Sequence, residues 1–271
     1  MAQNPSAATV FRRLHQGPEL LRLANAWDAG SARLIESLGA PAIATTSAGV
    51  AWAHGYPDGD VLPLERLLDT VAATARVINV PLTVDMEGGY AADPAGVGEA
   101  VARMIDAGGV GLNIEDGGDP PEALAARIEQ AKRAGARAGV DVFVNARTDV
   151  YLRGLASAET RVEETLARAA RYREAGADGI FVPGIMDPAE IAEVVARAGL
   201  PLNVMARPGL ATGAELAALG VRRLSAGSGI TQAVWGRAAT LARDFLQDGA
   251  SDALAEGAMT YPQINALMIG R

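Results

Sequence analysis

Short apolar runs alternate with longer stretches of helical spacing along the whole chain. The runs predict strands at Leu21–Ala26, Ala42–Thr45, Leu82–Asp85, Gly111–Glu115, Val142–Arg147, Gly179–Val182, Leu202–Met205 and Arg222–Ser225. Most are brief and apolar, as strands covered on both faces are. Between them, Leu64, Leu67, Leu68 and Val71 form one stripe of a helix over 64–77. Asp93-Pro94 and Asp187-Pro188 each predict an N-cap followed by proline at the first helical position. Thr212 and Glu215 have the spacing of a capping box. Gly39, Gly108, Gly176, Gly199 and Gly220 each close a helical stretch just before the next strand.

Eight strand–helix units in a chain of 271 residues predict an α/β fold, the (β/α)8 or TIM barrel. The alternative, an open doubly wound sheet, carries a glycine fingerprint after its first strand, and Trp27-Asp28-Ala29-Gly30 has none. No linker or low-complexity tract divides the chain, so residues 1–271 are read as a single barrel domain. Residues 248–271 are read as a helical tail, apolar at intervals, that packs on the barrel or on a neighbouring subunit.

Composition acts mainly by exclusion. The net charge of −8 disfavours nucleic acid, because phosphate binding needs a basic face. There is no cysteine, hence no disulfide, thiolate nucleophile or zinc–thiolate site. The single lysine, Lys132, lies in an Ala/Arg-rich helical stretch and is read as part of a solvated face, which argues against Schiff-base chemistry. His15 and His54 are the only histidines, too few for a three-histidine metal cage. With no signal peptide and no apolar run long enough to cross a bilayer, a soluble cytoplasmic protein without membrane partners is expected.

In a barrel of this kind the C-terminal ends of the strands converge on one mouth. The third predicted strand ends in Asp85-Met86-Glu87, the fourth in Asn113-Ile114-Glu115-Asp116 and the fifth in Asn145-Ala146-Arg147-Thr148-Asp149. Asp85, Glu87 and Glu115 would repel one another at one mouth. A divalent cation relieves that repulsion, and an all-oxygen set suits Mg2+ or Mn2+. Asp116 and Asp149 are read as cap or loop residues. His54, in the loop after the second strand, is a candidate pocket residue. Ser225-Ala226-Gly227-Ser228-Gly229 is read as a tight turn into the last helix.

At these residues the sequence resembles the isocitrate lyase / phosphoenolpyruvate mutase superfamily. The matching pieces are Thr45-Thr46-Ser47-Ala48-Gly49, Gly55-Tyr56-Pro57-Asp58, Val84-Asp85-Met86-Glu87-Gly88-Gly89-Tyr90, Gly111-Leu112-Asn113-Ile114-Glu115-Asp116 and Asn145-Ala146-Arg147-Thr148-Asp149. They fall in the family's order from about residue 10 to 247. The resemblance implies Mg2+ held through Asp85, Glu87 and Glu115. It implies a 2-oxo or 2-hydroxy carboxylate bound by Arg147 and by Thr46, Ser47 and Ala48, with Asp58 near the metal's water shell. Asn203 matches a polar position on the seventh strand. Catalytic work then falls to Asp58, Glu115 and Arg147, and ligand contact also to Asp85 and His54. The resemblance further implies C-terminal helices exchanged between subunits of a homotetramer, a dimer of dimers.

The chain departs from the family's lyases after its fourth strand. Glu115-Asp116-Gly117-Gly118-Asp119-Pro120-Pro121 leads almost directly into a helix, so the lid is short and carries no cysteine motif. That argues against isocitrate or methylisocitrate cleavage. The expected activity is a Mg2+-dependent lyase reaction on a small 2-oxo or 2-hydroxy dicarboxylate, of oxaloacetate decarboxylase type. The alternatives are a carbon–carbon hydrolase of oxaloacetate and a non-catalytic 2-oxo acid binding protein.

Overall fold

The computed structural model describes residues 5–269. The terminal residues 1–4 and 270–271, included in the expected domain and tail, lie outside the described residues. Nine parallel strand segments form one sheet: β1 (Leu21–Leu23), β2 (Asn25–Ala26), β3 (Ile43–Thr45), β4 (Leu82–Asp85), β5 (Gly111–Glu115), β6 (Phe143–Arg147), β7 (Gly179–Phe181), β8 (Leu202–Met205) and β9 (Arg223–Ser225). Their order is β1-β9-β8-β7-β6-β5-β4-β3-β2. The first predicted strand is therefore split at Ala24. Its first half pairs with β9 and its second half with β3, which brings the sheet round into a barrel. Staggered strands force such a handover, because one strand meets its two neighbours at different heights.

Around the sheet lie α1 (Pro5–Leu14), α2 (Ala29–Ser37), α3 (Ser47–Ala53), α4 (Leu64–Val77), α5 (Pro94–Asp106), α6 (Pro121–Ala138), α7 (Arg161–Glu174), α8 (Pro188–Arg197) and α9 (Gly213–Ala218). They are followed by α10 (Gly229–Asp248), α11 (Asp252–Ala255) and α12 (Tyr261–Ile269). The expected caps form. Asp93 accepts from Gly96 N, Asp187 from Ala189 N, and Thr212 and Glu215 cap each other. The five expected terminal glycines have φ between 64° and 116°. Trp27-Asp28-Ala29-Gly30 is a capped helix start, with Asp28 accepting from Ser31 N at 2.6 Å. Leu67 and Val71 of the α4 stripe are fully buried.

Three features differ from the sequence-based picture. First, α1 closes the N-terminal end of the barrel. The Phe11 and His15 rings pack on Phe143 of β6, the imidazole stacked at 4.1 Å. Second, Lys132 is not on a solvated face. Its Nζ donates to Asp178 at 2.9 Å and to the Val142 carbonyl at 2.9 Å, in a charge cluster that also holds Arg12. Third, the barrel interior has a polar layer that the apolar strand pattern hides. Arg223, 1% exposed, donates to Asn113 Oδ1 and Ser225 Oγ at 3.2 Å each. Asn145 donates to the same Asn113 oxygen, and Ser225 to Asn203.

Of α10, only Thr231 is buried, and its apolar residues Val234, Trp235 and Phe245 are about half exposed. The chain returns through α12, whose Leu267 carbonyl accepts from Arg33 of α2 at 2.9 Å. Among the described residues, no helix is long and apolar enough to cross a membrane.

Candidate active site

The mouth is assembled from the ends of β3 to β6. Asp85 is the last residue of β4, Glu115 of β5 and Arg147 of β6, and the register pairs Glu115 with Arg147. Asp85 Oδ2 accepts from Ser47 N, the first residue of α3, at 3.2 Å. The buried Thr46-Ser47-Ala48 turn thus sits against Asp85. Gly49 makes this seat possible: a Cβ there would lie 2.8–2.9 Å from Thr231 Oγ1, Thr46 Cγ2 and Trp27 Cβ.

Arg147 is clamped from two sides. Its Nη1 lies 2.6 Å from Glu115 Oε2, while Nε and Nη2 reach the two oxygens of Asp149 at 2.7 and 3.1 Å. Asp149 is fully buried and takes its own backbone position from Asp116, whose Oδ1 accepts from Asp149 N. Asp116 also accepts from Arg168 at 2.8 Å and from the Tyr172 hydroxyl at 2.6 Å. Asp116 and Asp149 are therefore not solvated loop residues. They form the buried support that aims Arg147.

Glu87 does not point where alternation along β4 would send it. It lies beyond the strand with φ 47°, in the left-handed region. Its Oε2 accepts from Gly59 N at 3.0 Å and from Asp60 N, and its Oε1 from the Tyr90 hydroxyl at 2.8 Å. Asp60 in turn accepts from Gly88 N. Asp60, Glu87 and Tyr90 are the described non-glycine residues with positive φ, and all three belong to this strap. Such backbone cost persists only where surrounding bonds enforce it, and it concentrates at functional sites.

Four carboxyls share this region, and all are pushed above the usual carboxylate range. Burial is the main cause for Asp60, Asp85, Glu87 and Glu115. Mutual repulsion adds to it: Glu115 feels Asp85, Asp149 and Asp60, against the pull of Arg147. Asp58 is exposed and raises both Asp85 and Asp60 through its charge. His54 lies apart from this group, exposed, with Nε2 2.8 Å from Thr70 Oγ1 on α4. Asn203 lies inside the barrel, its Nδ2 without a partner.

Asp85, Glu87 and Glu115 do not form a ready ligand shell. Among the described residues, no three His, Cys, Asp or Glu side chains are grouped to hold a metal ion. The donor chemistry does fit a hard divalent cation. The set is all oxygen, and its charged forms are disfavoured as they stand. Strand-end reading names Asp116 and Asp149 but takes them as cap or loop residues, and it does not reach Asp60 or Tyr90. Asp60, two residues after Asp58 in a glycine-bearing loop, carried the one available signal. A cavity of about 620 Å3 opens beside Asp60 and Glu115 and runs to Arg127 and Arg153.

Comparison with known proteins places this geometry in context. The family model for phosphoenolpyruvate phosphomutase matches residues 11–246. An uncharacterised protein of Mycobacterium tuberculosis is 40% identical over 79% of this chain and 80% of its own length. Oxaloacetate decarboxylase of Paraburkholderia xenovorans is 33% identical over 81% of this chain and 76% of its own. A crystal structure of phosphonopyruvate hydrolase with oxalate and Mg2+ superposes with a TM-score of 0.84. It is 25% identical, over 96% of this chain and 94% of that one.

Proposed function

Because the chain belongs to the phosphoenolpyruvate phosphomutase family, we propose that it is a Mg2+-dependent carbon–carbon lyase. Its substrate is a small 2-oxo dicarboxylate, and the reaction is a decarboxylation of oxaloacetate type. The observation that carries this reading is the pairing of an aimed guanidinium, Arg147, with an excess of buried carboxyls at the same mouth. The similarity to an oxaloacetate decarboxylase supports it.

Asp85, Glu87 and Glu115, with Asp58 nearby, are the residues that would hold the metal. When bound, the ion supplies Lewis-acid stabilisation of developing enolate charge. This chain's own groups do the rest. Arg147 grips the oxygen that gains charge, with its aim set by Asp149. In the Thr46-Ser47-Ala48 turn, Thr46 N is held by the Ala26 carbonyl and Ser47 N by Asp85, so the Ala48 N–H is the backbone donor offered to the carboxylate that stays. Loss of carbon dioxide breaks one C–C bond and leaves its electrons in the enolate, which then takes a proton to give the 2-oxo product. No hydroxyl proton has to be removed, so the short loop from Asp116 to α6 suffices without a cysteine-bearing lid. A cytoplasmic homotetramer, built as a dimer of dimers that exchange C-terminal helices, is part of the same proposal.

The test is pyruvate release from oxaloacetate, above its uncatalysed rate, with and without Mg2+. Turnover should need the ion and be lost in Asp85→Ala, whose far-UV circular dichroism should match the parent. Oxalate and acetate as products would make the chain a hydrolase. Metal-dependent binding without turnover would make it a binding protein.

A further inference from the structure

The cavity beside Glu115 is lined by arginines as well as acids. Besides Asp60 and Glu115 it is lined by the loop 117–119 and by two arginines from different elements. Arg127, on α6, is mostly buried and donates from Nη2 to Asp119 Oδ2 at 3.0 Å. Arg153 follows β6 by six residues. It is about half exposed, and only its Nε is engaged, with Asp149 Oδ2 at 3.1 Å. Among the described residues its two Nη groups have no partner. Asp149 is thus shared by two guanidiniums. Arg147 meets Glu115, and Arg153 lines the cavity.

The loop between them carries no side chain for two residues. Gly117 adopts φ +54°, and a Cβ there would lie 3.9 Å from the Arg153 guanidinium carbon. A Cβ on Gly118 would meet nothing within 4 Å. Neither residue puts a side chain into the cavity beside Arg153.

Resting on the function proposed above, we propose that Arg153, supported by Arg127, forms a subsite for the second carboxylate of the substrate. A guanidinium with two free parallel N–H groups matches a carboxylate, whereas a 2-oxo acid lacking that group leaves the charge unmet. Arg153 is in this sense a specificity residue for dicarboxylates over monocarboxylates.

Calorimetry in Mg2+ with two probes tests it. Oxalate has only two carbons, and 3,3-difluorooxaloacetate carries its second carboxylate at the length of the four-carbon acid. Arg153→Gln should bind oxalate within twofold of the parent and the longer probe at least tenfold more weakly. Arg153→Lys, which keeps a charge beside Asp149, should bind the longer probe better than Arg153→Gln. Equal weakening of both probes in both variants would make Arg153 a support of Arg147 only. That result, or unchanged affinity for the longer probe, overturns the subsite. If the parent chain fails to bind oxalate in Mg2+, the proposed function falls, and the subsite with it.

Discussion

Arg147 is the residue whose geometry is most constrained, with three of its nitrogens engaged by Glu115 and Asp149. A lysine keeps the charge but cannot span both carboxylates. Arg147→Lys should therefore weaken 2-oxo acid binding by about tenfold or more, on the order of 1.4 kcal/mol. Unchanged affinity in calorimetry would show that Arg147 merely neutralises its acidic neighbours. At the opposite end of the barrel, His15 has a different part. Its Nδ1 must donate to the Phe11 carbonyl, an acceptor, at 2.9 Å. Burial, with the charge of Arg223 behind it, lowers its pKa to about 3. The unfolded chain takes up this proton near pH 6.5, and the folded chain only near 3. Above pH 6.5 the residue has no pH-dependent effect, and stability falls as pH drops from there toward 3. The slope from this one group is at most about 1.4 kcal/mol per pH unit. His15→Phe should remove it, so denaturant midpoints at pH 7.5 and 5 should lie closer together than in the parent. An unaltered difference between the two pH values would locate the acid sensitivity elsewhere.

Elements at the mouth are held by close approach as much as by bonds. The start of α3 meets Trp27 and the buried Thr231 of α10 over the bare Cα of Gly49. Any side chain there overpacks a junction of three elements. Gly49→Ala should cost roughly 1–3 kcal/mol and lower the melting temperature. Because Ser47 leads that helix against Asp85, oxalate binding should fall as well. A variant that melts with the parent would mean that α3 can slide without consequence. The strap from Gly59 and Asp60 to Glu87 and Tyr90 is the other device of this scale. It converts a glutamate expected at the end of a strand into the anchor of a loop.

For the molecule as a whole, α10 poses the main energetic problem. Twenty residues long, it has only Thr231 buried, and Trp235 and Phe245 stand about half exposed. A continuous apolar face of this kind marks an interface, and closed symmetry is its usual outcome. Light scattering should give a mass that is a multiple of the 27.9 kDa chain. Truncation before Thr231 should produce aggregation, since it removes α10 from its packing against Thr46 and Trp27 at Gly49. A monodisperse monomer would mean that the stripe stays in water.

The sequence by itself determined the features that arise from neighbouring residues. Aspartate before proline, the Thr212–Glu215 spacing and the terminal glycines specify helix ends through local bonds and local backbone freedom. Short apolar runs specify covered strands, and strand ends locate Asp85, Glu115 and Arg147 at one mouth. What only the tertiary structure decided is which partners those residues meet. Arg223 is tolerated inside the barrel because Asn113 on a distant strand and Ser225 farther along its own strand satisfy two of its nitrogens. Glu87 turns away from its strand because backbone donors nearly thirty residues earlier capture it. Asp116 leaves the solvent because Arg168 and Tyr172 reach it from another element, and Asp149 because Asp116, more than thirty residues earlier, accepts from its backbone. Whether a polar group can be buried depends on bonds made across the fold, and no local pattern records those.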